Sequence, residues 1–138
     1  MAYTIAYYAY LIAAVLIILI GLIYATRREV MPYHIKALQT PWDEIDPNFQ
    51  LLLRALLNGG GYFGISTGVS MLVLLLIPYC NQEVWAGYAI GAIGLIGILP
   101  LTWIVYQVKT KTEGNPPLWI MIVVNALLLS GLTACAVG

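Results

Sequence analysis

Charge is what this chain has least of. Charged residues make up 9% of the sequence, against ~25% in soluble domains. Four long apolar stretches, Tyr3 to Ala25, Leu51 to Tyr79, Val84 to Val108 and Leu118 to Ala136, contain one charged side chain between them, Arg54. None holds Asp or Glu, which disfavours antiport driven by a membrane-embedded acid. One histidine and two cysteines cannot alone complete the usual tetrahedral zinc set. A redox cofactor held by two histidines is excluded within one chain, and no cofactor or metal is expected. A phosphate-binding glycine loop, a serine elbow and paired catalytic carboxylates are missing as well. Six basic residues balance six acidic ones, leaving no positive field to attract nucleic acid.

What is present is hydrocarbon. Apolar residues account for 62% of the chain. A bilayer core of about 30 Å is crossed by ~20 apolar residues in a helix. The expected fold is therefore all-α: one polytopic domain of four transmembrane helices, near residues 4–25, 47–78, 84–107 and 118–136, with a helical elbow at 26–46. The first charges, Arg27 and Arg28, follow the first apolar run instead of preceding it, so that run reads as a retained helix and not a signal peptide.

Five of the six basic residues fall in the first and third connections: Arg27, Arg28, Lys36, Lys109 and Lys111. By the positive-inside rule these connections face the cytoplasm and both termini lie on the opposite side. Tyr3, Tyr7, Tyr8, Tyr10, Tyr79 and Trp85 gather at the outer end, and Tyr33, Trp42, Trp103, Tyr106 and Trp119 at the inner one. Both sets read as interfacial anchors.

The elbow carries its own start signals. Pro32 opens a short helical segment, and Thr40-Pro41-Trp42-Asp43 places a capping residue before proline. Asp46-Pro47 repeats the arrangement and launches the second transmembrane helix. Within that helix Gly60, Gly64 and Gly68 recur every four residues, as Gly87 and Gly91 do in the next, with Gly94 and Gly97 nearby. Such rows let another backbone approach closely, inside the monomer or between copies. Pro100 is expected to kink the third helix and to free the Ile96 carbonyl.

Polar residues in the apolar stretches are the candidates for function. Arg54 lies about 12 Å along its helix from the cap Asp46, where it can pair with Asp43, Glu44 or Asp46, or bind an anionic lipid or substrate group. Asn58 is one turn deeper on the same face, followed by Tyr62, Ser66 and Ser70, and Asn125 is a possible partner across the bundle. His34, with the elbow carboxylates close in sequence, is a candidate acid or base. Cys80 and Cys135 both fall at outer helix ends, where a disulfide can form if their helices are neighbours.

Met31-Pro32-Tyr33-His34, then Ala37-Leu38 and Trp42, then Gln50, Leu53 to Leu57 and Gly60-Gly61 resemble a pattern in small bacterial four-helix membrane proteins. Pro78 and Glu83-Val84-Trp85-Ala86 extend the similarity. The resemblance implies a bacterial inner-membrane protein and brings no activity with it. Three readings follow. The first is a non-catalytic module or accessory subunit packing through its glycine faces with itself or other membrane proteins, in contact with membrane lipids. The second is a small transporter or lipid-binding protein using an Arg54/Asn58 cleft. The third is an interfacial enzyme using His34 and a nearby carboxylate.

Overall fold

The computed structural model describes residues 1–137. Among these the secondary structure is entirely helical: α1 (Ala2–Ala25), α2 (Pro32–Leu38), a 3-10 turn (Trp42–Glu44), α3 (Pro47–Leu74) running into a π-turn (Leu75–Tyr79), α4 (Val84–Lys111) and α5 (Leu118–Val137). α1, α3 with its π-turn, α4 and α5 are long and apolar enough to cross a membrane. Their outward surface carries exposed Leu, Ile, Val, Phe and Trp along its length, the exterior that hydrocarbon solvent favours and water does not.

Helix boundaries follow local chemistry. Asp46 Oδ1 accepts from the Asn48 (2.9 Å) and Phe49 (3.2 Å) N–H groups and Pro47 takes the first helical position, so α3 starts where the cap-then-proline signal put it. At Thr40 the expectation fails. Its hydroxyl donates back to the Leu38 carbonyl (3.3 Å), and Pro41 itself flanks the 3-10 turn. Pro78, which lacks the N–H for an α-helical bond, is absorbed by the π-turn, where Glu83 N–H reaches the Pro78 carbonyl at 3.0 Å. α4 continues through Pro100, with Thr102 Oγ1 donating to Ile98 O at 2.8 Å.

α1 is the hub. It packs along α3 on one side and α5 on the other, and α4 closes the bundle mainly against α5. The α1 side of this arrangement is a face of small residues, including Ala6, Ala13, Ala14, Gly21 and Ala25. Gly61, not Gly60, meets it. A Cβ on Gly61 would overlap the Ala25 backbone nitrogen, and one on Gly68 would lie 2.8 Å from the Ala14 carbonyl oxygen. Gly60 has open space where its Cβ would be. The seam therefore runs Gly61, Gly64, Gly68, and the predicted row is corrected by one residue at its first member.

The Gly87 and Gly91 row packs inside the bundle. A Cβ on Gly87 would lie 2.6 Å from Cys135 Sγ, and one on Gly91 would lie 2.9 Å from the Tyr10 hydroxyl. Tyr10 is fully buried, its ring laid on Gly131 of α5 and its hydroxyl donating to the Gly87 carbonyl at 2.9 Å. Tyr3 and Tyr79 stack with centroids 4.7 Å apart, and the Tyr3 hydroxyl donates to the Tyr79 carbonyl (3.0 Å). Tyr10 and Tyr79 are thus core residues and not interfacial anchors, because glycines opposite them leave room for a ring and a carbonyl to bond its hydroxyl.

Candidate functional site

At the end of the bundle that carries the basic connections, α3 and α4 border a shared recess. Their facing walls are Leu53, Leu56, Leu57 and Gly60 on one side and Leu101, Ile104, Val105 and Val108 on the other. α1 and α5 supply the floor through Ile17, Gly21, Met121 and Val124. The result is a recess of about 650 Å³, lined almost wholly by hydrocarbon. Leu56, Leu101 and Ile104 stay exposed on its walls, so it opens sideways between the two helices.

The elbow forms the roof. Val30, Tyr33, His34, Ala37 and Leu38 face the recess, joined by Pro116 from the connection between α4 and α5. α2 is held from both directions. Tyr33 and Tyr24 of α1 share a hydroxyl–hydroxyl hydrogen bond, and Gly114 lies so close that a Cβ on it would be 2.6 Å from the Tyr33 carbonyl oxygen. Burial, reinforced by the bond to Tyr24, pushes the Tyr33 phenol above its ordinary pKa and keeps it neutral.

His34 Nδ1 accepts the Met31 N–H (3.2 Å) at the start of α2, which places its proton on Nε2. Desolvation lowers its pKa below the ordinary 6.5. Asp43, Glu44 and Asp46 are exposed and do not line the recess, and Asp46 is occupied in capping α3. The structure thus does not assemble an acid–base pair around His34.

The predicted Arg54/Asn58 stripe separates into parts with different jobs. Asn58 turns its amide NH2 to the carboxy-terminal end of α1, donating to the carbonyls of Tyr24 (3.0 Å) and Arg27 (3.1 Å). Tyr24 O also takes the Arg27 N–H at 3.4 Å, and Arg27 lies just past the end of α1, so the amide fastens α3 to the chain where it leaves α1. Asn125 donates to Thr102 Oγ1 (2.7 Å) and Met121 O (2.9 Å), clipping α5 to α4, and its own buried Oδ1 has no partner among the described residues. Tyr62 and Ser66 are exposed, and Ser70 donates to Ser66 O at 2.8 Å. Arg54 is exposed beside Arg28 on a small separate recess.

The disulfide is corrected: Cys80 and Cys135 are both free. Cys135 rests on Gly87, 3.7 Å from the Tyr79 hydroxyl, while Cys80 is exposed in the turn after α3. α3 and α5 each pack on α1 and not closely on one another, and it is the Tyr79 side chain, not Cys80, that reaches Cys135. Among the described residues no group of three or more His, Cys, Asp or Glu is arranged to hold a metal.

Sequence reasoning missed the recess and Gly21, and read Arg28 only as a topology signal. The α1 alanine and glycine face was present in the sequence, at helical spacing, and would have located the seam. No protein-family model, curated protein or solved structure matches the chain.

Proposed function

We propose that this chain is a non-catalytic integral membrane module that holds a lipid acyl chain in the recess between α3 and α4. The supporting observation is the recess itself: about 650 Å³, lined almost wholly by hydrocarbon and open sideways between α3 and α4. This volume falls within the usual ~300–1,000 Å³ of small-molecule sites. Tyr24, Tyr33 and His34 put the only polar side chains at its elbow end, where a headgroup or ester linkage would lie. In this reading the protein resides in a bacterial inner membrane, with the elbow and basic connections in the cytoplasm and both termini outside, as the placement of Lys and Arg favours.

Gly60 provides the test, because it lines the recess and has nothing within 4 Å of its Cβ position. Gly60→Trp should fill the space without disturbing the α1 seam. In bilayers containing brominated-acyl phospholipid, the wild-type protein should retain a tightly bound lipid on extraction and Gly60→Trp should lose it. Gly59→Trp, which points to open space outside the recess, should keep it. Equal retention by all three proteins would remove the proposal.

A second reading, assembly with itself or another membrane protein, is favoured by Gly59, whose exposed face contributes nothing to the monomer core. There Gly59→Trp is the disruptive variant, and in-membrane crosslinking is the readout.

A further inference from the structure

The second recess also lies at the basic end and shares no lining residue with the apolar one. It measures about 220 Å³ and is lined by Arg28, Trp42, Pro47, Gln50, Leu51 and Arg54. Two cations from different elements border one concavity, and no carboxylate is among the lining residues. Like charges so placed repel unless an anion is shared between them.

Of the nearby carboxylates, Glu29, Asp43 and Glu44 are exposed, and none of them lines the recess. Asp46 accepts from the α3 backbone. At the end of α1, Leu22 O accepts from the Thr26 N–H and hydroxyl, while Tyr24 O and Arg27 O take the Asn58 amide. The recess is also well defined on its third side, because Gln50 Nε2 donates to the Trp42 carbonyl at 2.6 Å and ties the 3-10 turn to the first turn of α3. Trp42 lines the same recess as both arginines, a combination that suits the headgroup layer, where an indole and a cation are both favourable.

We infer that Arg28 and Arg54 form a phosphate site, taking the phosphate of an anionic lipid headgroup or a free phosphate ion. Guanidinium groups match phosphate oxygens with paired, charge-assisted N–H···O bonds. The site is independent of the apolar recess and stands whether or not that recess holds a lipid tail.

The test compares wild type with R28Q, R54Q, R54K and the double variant K109Q/K111Q, which removes two charges from the same end of the bundle elsewhere. Each protein is placed in phosphatidylcholine nanodiscs doped with phosphatidylglycerol, and lipid retained on release is counted by native mass spectrometry. A second arm titrates inorganic phosphate into detergent-solubilised protein and follows tryptophan fluorescence. Melting temperatures confirm that the variants fold, and R54K keeps the charge should R54Q prove unstable.

Selective phosphatidylglycerol retention that falls roughly tenfold or more in R28Q and R54Q, less in R54K and not in K109Q/K111Q, supports a headgroup site. A saturable phosphate response with the same dependence on the variants supports the site with the free ion as its occupant. Retention and fluorescence that ignore R28Q and R54Q overturn the inference, as does an equal loss in K109Q/K111Q, which would reduce it to general surface charge.

Discussion

Two adjacent glycines with opposite surroundings show how much a single residue decides. Alanine at Gly61 must push against the Ala25 backbone, which cannot swing aside as a side chain can. Alanine at Gly60 meets nothing and gains helix propensity. Gly61→Ala should therefore destabilise the protein by about 1–3 kcal/mol, whereas Gly60→Ala should stabilise it by up to ~1 kcal/mol. Reversible unfolding of both variants in one detergent checks the opposite signs. The difference was not legible in the sequence, because three consecutive glycines offer three directions and a four-residue spacing singled out the wrong one. Gly21 and Ala25, distant in sequence, choose among them. Asn58 was hidden for a related reason: its hydrogen bonds are to the end of another helix, and sequence spacing records only neighbours on its own.

At the scale of elements, the elbow is where pH should act. His34 is partly desolvated in the docked elbow and its pKa there lies below the ordinary 6.5. The undocked elbow then takes up a proton more readily than the docked one, so docking is fully supported above that pH and weakens as pH falls below it. The loss levels off once the pH is under the docked pKa. Protection of the α2 amides from hydrogen exchange, taken relative to the intrinsic rate at each pH, should fall from pH 7.5 to pH 5.5 (chosen to bracket ~6.5), and His34→Gln should flatten that dependence. A profile unchanged by the substitution would assign the elbow's behaviour to other groups. The elements themselves were well foretold. Length and apolarity sufficed for four spans, and Asp46-Pro47 for the start of α3. Where sequence reasoning stopped was the recess between α3 and α4, because a space between helices is made by what both fail to touch.

For the whole molecule, the central position of α1 matters most. α5 buries its Gly131 under the Tyr10 ring, and α4 offers the Gly87 carbonyl to the same side chain. Residues 1–114 expressed alone should insert but leave that tyrosine on an incomplete surface. We expect rapid proteolysis of this fragment and rescue by co-expressed residues 115–138. Stable accumulation of 1–114 with wild-type resistance would show that α5 is dispensable to the core.

The same ring has a consequence for biogenesis. A ribosome releases Tyr10 more than a hundred residues before Gly131, yet the two must end in contact. α1 thus enters the bilayer with its most demanding side chain unhoused and waits for its seat until α5 has been made. Insertion machinery or transient lipid must shelter that face meanwhile, and the membrane-inserted nascent chain is the stage at which quality control would find it most open to attack.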